Sequence, residues 1–567
     1  MNYQESYELW KNFSDLDKNL KAQLNEMTDP AEIEDAFYED LQFGTGGMRG
    51  RIGVGTNRMN RYMVAKATKG LGQFLIGLNE ANQEKGVVIS HDPRNMSPEF
   101  ATFAARVLAA MGMKVYLFED LRPTPELSFA VRYLKAAGGI MITASHNPKE
   151  YNGYKVYGSD GGQMVDTLAE GLVKEIASIQ DYLNIPMADY DESVDKGLIT
   201  IIGEEIDAPF TEAVKEIVKP NPGVDLKVIY TPIHGTGNIP VRRVLKELGY
   251  ACTVVPEQEK PDGNFPTVAY PNPEEKAVFN IAMKMAEEQD TDIIIGTDPD
   301  CDRVGVVYKD DRGDFQTLTG NQIGALLVNY YLKTRTELPD NKVVIKTIVT
   351  SELGGVVAKA NGAEVIDVLT GFKYIGEWMN KFEETGEKTF AFGYEESYGY
   401  LAGNYARDKD AVLASALICE MTAYYKQKGL TLYDALLELY EEHGYFIEGI
   451  QSFTMEGIEG RRRIEKIMDS FRSVYFKEFA DAKLVTFKDY KISESTDMES
   501  GEKSKIDLPS SNVLKFIFNE NSWYALRPSG TEPKLKIYYS VTGRSKDKAQ
   551  EKMETLKAEV NKLMDAI

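Results

Sequence analysis

Ser145 stands in Ile142-Thr143-Ala144-Ser145-His146-Asn147-Pro148, directly after the apolar run Gly138-Gly139-Ile140-Met141. That order puts a hydroxyl on a loop at the end of a buried strand, where parallel-sheet folds bind their ligands. The same residues also make an ordinary turn before Pro148, and the segment alone favours the turn cap, a balance that the rest of the chain reverses. A second loop, Thr297-Asp298-Pro299-Asp300-Cys301-Asp302-Arg303, carries three carboxylates at alternate positions. Carboxylates this close raise one another's pKa unless a cation neutralises them, and hard oxygen ligands suit Mg²⁺. A solvated acidic turn competes with that reading, but the apolar strand Asp292-Ile293-Ile294-Ile295 just before it favours a metal site. Arg303 would then meet a phosphate beside the metal. A phosphorylated Ser145, with about −1.5 to −2 of charge, would supply a further metal ligand and suit such a site. His146 and Lys155, the latter in Asn152-Gly153-Tyr154-Lys155, are bases close by in sequence.

Three other loops carry weaker signals. Arg527-Pro528-Ser529-Gly530-Thr531-Glu532-Pro533 combines a guanidinium fork, two hydroxyls and a glycine that exposes backbone amides, which together make an anion cradle. A β-turn with an incidental arginine is the equal alternative. Gly393-Tyr394-Glu395-Glu396-Ser397-Tyr398-Gly399 offers groups that hydrogen-bond sugar hydroxyls, and fits a solvated turn equally well. Gly44-Thr45-Gly46-Gly47-Met48-Arg49-Gly50 is glycine-rich but lacks the Lys-Ser/Thr ending of a nucleotide P-loop.

An internal repeat supplies the elements that must hold these loops. Val87-Val88-Ile89-Ser90 to Lys114-Val115-Tyr116-Leu117, Lys227-Val228-Ile229-Tyr230 to Ala251-Cys252-Thr253-Val254, and Val343-Val344-Ile345-Lys346 to Ala363-Glu364-Val365-Ile366 share one pattern. Each reads strand, amphipathic helix, strand, with helical spacing such as Phe100, Phe103, Ala104, Val107 and Leu108, and so predicts a βαβ unit. A further strand follows each, Gly139–Ile142, Asp292–Ile295 and Thr389–Phe392, and ends in one of the chemical loops. The fold class expected is α/β: three related mixed α/β domains and a C-terminal α+β domain around a central cleft. The boundaries expected are 1–203, 204–312, 313–446 and 447–567. The second falls at Asp310-Asp311-Arg312-Gly313, which is equally a hairpin turn. Tyr3, Tyr7 and Trp10, followed by Leu16 and Leu20, predict a helical extension docked on the first domain. A charged helix is expected over Arg461–Phe479 and a final one from Lys546.

With 567 residues the chain exceeds a single core. Its 65 Lys and Arg against 88 Asp and Glu leave a net charge of −23, which disfavours nucleic acid and anionic membranes as partners. The start Met1-Asn2-Tyr3-Gln4-Glu5-Ser6 has no signal-peptide pattern and no run is long enough to span a membrane, so a cytoplasmic location is expected. Cys252, Cys301 and Cys419 read as ordinary thiols.

In their order, the Gly44–Gly50, Thr143–Pro148, Thr297–Arg303, Gly393–Gly399 and Arg527–Pro533 motifs resemble those of the α-D-phosphohexomutase family, most closely its long bacterial α-phosphoglucomutase branch. The likeness runs from about Phe43 to about Tyr539. It implies four domains around one cleft, a phosphoserine at Ser145, Mg²⁺ on Ser145, Asp298, Asp300 and Asp302, and a phosphate loop at Arg527, Ser529, Gly530 and Thr531. Glu395 and Ser397 match the sugar-binding motif, while Arg49, His91, Arg94, His146, Lys155, Arg303, Lys346 and Lys373 match polar cleft positions. The implied reaction interconverts glucose 1-phosphate and glucose 6-phosphate through glucose 1,6-bisphosphate, which also serves as activator. Lys155 is the first choice of base and His146 the second. The implied partners are small sugar phosphates, with the chain a monomer or homodimer. Gly399 where mannose-active relatives carry His, and Thr370-Gly371-Phe372-Lys373 without His, favour glucose over mannose. Phosphopentose mutases, a metal-dependent phosphatase using an Asp nucleophile, and a noncatalytic sensor are the alternatives.

Overall fold

The computed structural model describes residues 2–44, 47–221, 223–455, 457–529 and 534–567. They form two compact units. One comprises Met1–Leu318, Phe372–Gly386 and Tyr398–Gly429; the other comprises Thr319–Gly371, Glu387–Ser397 and Leu430–Ile567.

In the first unit, Met48–Arg51 (β1), Val87–His91 (β2), Val115–Phe118 (β3), Gly138–Ile142 (β4), Tyr151–Tyr157 (β5) and Ile199–Ile202 (β6) make one sheet, ordered β1-β5-β4-β2-β3-β6. Lys227–Thr231 (β7), Ala251–Val254 (β8), Ile293–Thr297 (β9), Val304–Lys309 (β10) and Phe315–Leu318 (β11) make a second, ordered β11-β10-β9-β7-β8. Their central trios, β4-β2-β3 and β9-β7-β8, are parallel, as the repeat predicted. Central strands such as β2, β4 and β9 are buried along their whole length, which is why they read as unbroken apolar runs. The helix Ser97–Ala110 turns Phe100, Ala101, Ala104, Ala105 and Leu108 onto the first sheet's core.

Two of the expected boundaries adjoin paired strands. Just before the one at 203, Ile199–Ile202 pairs in parallel with β3. Asp310–Gly313 is a hairpin turn joining β10 to β11: Asp310 Oδ1 accepts from the N–H of Arg312 at 3.0 Å and of Asp314 at 2.9 Å, and Gly313 takes φ of 84°. The N-terminal extension folds as helices Tyr3–Asn12, Lys18–Glu26 and Pro30–Phe37. Trp10 is completely buried there among Phe37, Tyr62 and Tyr182, and its Nε1 donates to the Tyr182 hydroxyl at 3.1 Å.

In the second unit, Lys342–Thr347 (β12), Glu364–Val368 (β13) and Thr389–Glu395 (β14) repeat the parallel trio, in the order β13-β12-β14. The short strand Gly399–Leu401 (β15) follows in sequence within the first unit. The last sheet belongs wholly to the second unit: Tyr445–Thr454 (β16), Glu478–Phe479 (β17), Ala482–Asp489 (β18), Glu494–Asp497 (β19), Lys503–Lys505 (β20), Leu514–Phe518 (β21), Trp523–Pro528 (β22) and Lys534–Gly543 (β23). Its order is β16-β23-β22-β21-β18-β19-β20, with β17 against β18, and every pairing is antiparallel. Helices Gly457–Ser473 and Lys546–Asp565 accompany it. The first of these stops at Ser473, short of the expected Phe479. Tyr475 and Phe476 leave the helix to stack on Phe487 and Tyr524, at ring distances of 5.4 and 5.3 Å.

Candidate active site

The β4–β5 hairpin sets Ser145 and Lys155 in place, because register pairs Met141 with Lys155 and Ile142 with Tyr154. Gly153 is needed where the strands close: a Cβ there would lie 2.4 Å from the Thr143 carbonyl oxygen. Ser145 itself takes φ of 49°, a strained conformation for a residue with a side chain. The bonds that hold it are visible. Its N–H donates to Thr143 Oγ1 at 2.8 Å, and that hydroxyl donates to Asp92 at 2.7 Å. Arg94, 1% exposed, donates to the carbonyls of Pro148 at 2.9 Å and Tyr151 at 3.1 Å, and to those of Ser145 and Asn147, while its Nε lies 3.2 Å from Asp92. Arg94 is thus spent on the loop's backbone, and His91, hydrogen-bonded to the Asp92 carbonyl at 2.9 Å, ends β2 opposite Ile142.

Ser145 Oγ donates to Asp298 Oδ2 at 2.7 Å, so the hydroxyl and the acidic loop meet. The other Asp298 oxygen accepts from the N–H of Asp302 and of Arg303, both at 3.0 Å, curling the loop on itself with Cys301 at φ of 53°. Asp298, Asp300 and Asp302 are all buried, and each brings a carboxylate oxygen within 4.8 Å of the others. Asp300 Oδ2 accepts from Lys155 at 2.8 Å and Thr124 Oγ1 at 2.9 Å; Asp302 Oδ2 takes Lys409 at 3.1 Å and Lys155 at 3.4 Å. Oδ1 of Asp300 and Oδ1 of Asp302 are buried with no hydrogen-bond partner among the described residues. Two carboxylate oxygens without a hydrogen bond, one of them 3.8 Å from Arg303 Nε, beside a third carboxylate fit a divalent cation, since three buried carboxylates this close repel one another.

The charge states follow from this packing. Burial, then the neighbouring Asp300 and Asp302, push Asp298 well above the usual carboxylate range. Burial also opposes ionisation of Asp300 and Asp302, but the lysines overcome it and both are held below that range. Burial disfavours the charged Lys155, yet Asp300 and Asp302 outweigh it and raise its pKa, so it is a held cation. Burial, then Arg303 and Arg49, hold His146 well below its ordinary value. This neutral imidazole lies with Nδ1 3.2 Å from Ser145 Oγ. Arg49 donates to Asn147 Oδ1 at 3.0 Å, and Arg303 to Glu274 at 2.6 Å. Lys373 is farther along the first unit, its amine 2.6 Å from Asp166.

The second unit carries the remaining expected residues. Glu395 ends β14, buried, with Oε1 accepting from the Gly371 N–H at 2.9 Å, and Ser397 is half-buried in the loop after it. Lys346 on β12 is fully buried between Asp367 at 2.9 Å and Glu352 at 3.2 Å; its amine braces the third sheet instead of meeting solvent. Arg527 and Ser529 are half-buried at the end of the β22–β23 hairpin, where the Ser529 N–H donates to Lys534 O at 2.8 Å. Gly530 and Thr531 lie outside the described residues.

Four domain profiles match the chain in order. They are described as phosphoglucomutase/phosphomannomutase, alpha/beta/alpha domain I at residues 40–183, domain II at 208–313, domain III at 319–442, and the C-terminal domain at 487–558. The chain belongs to the phosphoglucomutase/phosphomannomutase family. Among family members, a phosphoglucomutase of Staphylococcus epidermidis is 39% identical, over 93% of this chain and 95% of that one. One of Staphylococcus aureus is 38% identical over 97% and 98%. A solved family structure from Burkholderia thailandensis shares the fold at a TM-score of 0.67 and 18% identity, covering 92% of this chain and 97% of its own.

Sequence reasoning missed three groups at this family site. Thr124 opens the helix Thr124–Tyr133, and Asp92 anchors the Ser145 loop. Asp408 and Lys409 form the third: Lys409 reaches Asp302, and Asp408 accepts from Lys409 at 3.0 Å and from the Tyr157 hydroxyl at 2.8 Å. A signal for the last was present. Arg407-Asp408-Lys409-Asp410 places four charges between the apolar Tyr400-Leu401-Ala402 and Ala411-Val412-Leu413, the mark of charges buried in pairs.

Proposed function

We propose that this family member interconverts α-D-glucose 1-phosphate and glucose 6-phosphate, with Ser145 as phosphoryl carrier and glucose 1,6-bisphosphate as intermediate and activator. The observation that carries the reading is Ser145 Oγ bonded at 2.7 Å to a buried acidic loop that has two orphaned carboxylate oxygens. Names of close relatives support glucose as the sugar. Asp298, Asp300 and Asp302, with an oxygen on Ser145, would hold Mg²⁺, which when bound offsets charge on the transferring group.

In the cycle, the bond from phosphorus to Ser145 Oγ breaks as a bond to a sugar hydroxyl oxygen forms, and the hydroxyl proton passes to a base. The bisphosphate turns over, and its other phosphoryl group returns to Ser145. His146, 3.2 Å from Oγ, suits giving that oxygen its proton as the phosphoryl group leaves and taking it back as the group returns, while Lys155, the expected base, is kept protonated by Asp300 and Asp302 and suits the role of charge partner. Arg49 and Arg303 border the loops and would steady phosphate oxygens. Glu395 and Ser397 would take sugar hydroxyls, and Arg527, Ser529, Gly530 and Thr531 the distal phosphate, with Lys373 a further substrate contact.

We read the chain as four segments, each presenting one loop, with the second division moved from 312 to Leu318 because β10 and β11 pair. Its ligands are sugar phosphates, its state a monomer or homodimer and its location cytoplasmic; no described helix is long and apolar enough to cross a membrane. The test is intact-mass measurement of phosphate on Ser145, with assays on glucose, mannose, ribose and glucosamine 1-phosphates in the presence of Mg²⁺ and bisphosphate. Glucose 1-phosphate turns over fastest and Ser145 carries phosphate. Faster turnover of ribose 1-phosphate overturns the sugar, and steady release of inorganic phosphate without isomerisation overturns the reaction.

A further inference from the structure

The three acidic-loop carboxylates share a pattern of bonding. Each has one oxygen occupied by two donors or by a hydroxyl, and on Asp300 and Asp302 the second oxygen is left without a hydrogen bond. On Asp298 the two donors on Oδ1 are backbone N–H groups of its own loop, and on Asp302 the donors are ammonium groups. Asp300 differs: one of its two donors is the neutral hydroxyl of Thr124, contributed by a helix that begins in the first sheet's connections.

Thr124 is completely buried and grips Asp300 twice. Its N–H donates to the Asp300 carbonyl at 2.9 Å, and its Oγ1 donates to Oδ2 at 2.9 Å. A carboxylate oxygen has two lone-pair directions, and Thr124 with Lys155 fills both on Oδ2. Lys155 alone does not fix the carboxylate, because its flexible ammonium also serves Asp302 at 3.4 Å.

We propose that Thr124 is a positioning residue for the cation: its hydroxyl fixes the rotation of the Asp300 carboxylate so that Oδ1 is the oxygen left for the metal. The proposal rests on the reading of the acidic loop as a divalent-cation site. Partners that orient metal ligands govern affinity as well as rate, typically by about 10- to 100-fold.

The experiment is calorimetric titration of the full-length chain with Mg²⁺ alone, with phosphate occupancy of Ser145 matched between variants by intact mass. Thr124→Val keeps the shape and the backbone grip but loses the hydroxyl, and its Mg²⁺ dissociation constant rises about 10-fold or more. Thr124→Ser restores the hydroxyl and returns affinity to within about threefold of the unaltered chain, a rescue that a packing role does not give. If Thr124→Val lowers the melting temperature of the metal-free protein, the further rise on adding Mg²⁺ still reports affinity, because a ligand stabilises according to its concentration over its dissociation constant. Equal Mg²⁺ affinity in Thr124→Val and the unaltered chain overturns the role of Thr124. Failure of the unaltered chain to bind Mg²⁺ saturably overturns the cation reading, and the proposal with it.

Discussion

Lys155, on β5 beside the first parallel trio, and Lys346, on β12 within the third, are both buried lysines that pair with two carboxylates, yet they are placed differently. Lys155 in the first unit pairs with Asp300 and Asp302, whose remaining oxygens have no hydrogen bond. Lys346 in the second unit pairs with Asp367 and Glu352, and Glu352 also receives Lys515 at 3.3 Å, whose amine donates to the Ile348 carbonyl at 2.7 Å. Lys515 belongs to β21, so this second network ties the third sheet to the fourth. Sharing its carboxylates with a candidate cation site places a lysine for chemistry. A lysine whose partners are satisfied is a strut.

That contrast breaks most sharply at the chemical site. Ser145→Ala abolishes isomerisation, by at least about 10⁴-fold in kcat, with little change in melting temperature, as expected for a group whose covalent role nothing replaces. Activity surviving that change removes the basis of the comparison. Lys155→Met lowers kcat by about 10²- to 10³-fold in steady-state assays, the scale of a lost charge partner. Lys346→Met goes the other way: denaturant unfolding shows a loss of roughly 3 kcal/mol from breaking a buried pair, while kcat of the folded fraction stays within about threefold. Should Lys346→Met instead cost catalysis and spare stability, it is a substrate contact after all.

Asp410 sharpens the contrast from a third side. This buried carboxylate caps the helix Ala411–Gln427 through the N–H of Val412 at 2.7 Å and Leu413 at 2.9 Å, with the Tyr405 hydroxyl also donating to it. Burial raises its pKa to about 6 against those hydrogen bonds. The folded state therefore holds the proton more tightly than the unfolded chain. The stability this gives is complete below about pH 4 and is lost as pH rises through about 6. Asp410→Asn removes that dependence, so the stability difference between variant and unaltered chain shifts by about 2 to 3 kcal/mol in the variant's favour from pH 4 to pH 7. A flat difference in unfolding free energy across that range counts against the assignment.

Much of this was legible in the chain because the local signals agree with the fold. The apolar runs at Val87, Lys227 and Val343 are parallel strands, and the loops after Ile142 and Thr297 bring Ser145 Oγ within 2.7 Å of Asp298. What escaped was of two kinds. Thr124 and Asp408 act through contacts 176 and 251 residues away in sequence, and no periodicity encodes such a pairing. Arg94 and Lys346 were matched by resemblance to polar cleft positions, but a cation's destination depends on which acceptors reach it first. For Arg94 these are the carbonyls of the Ser145 loop, and for Lys346 two carboxylates on its own side of the second unit.

The Arg94 clamp has a consequence for turnover. Its bonds all end on backbone carbonyls and Asp92, so the loop's shape is set without reference to what Ser145 Oγ carries. A phosphoryl group on that oxygen would take away the hydroxyl's bond to Asp298 but none of the Arg94 bonds, so the backbone of the loop would keep its anchor while the side chain changed partner.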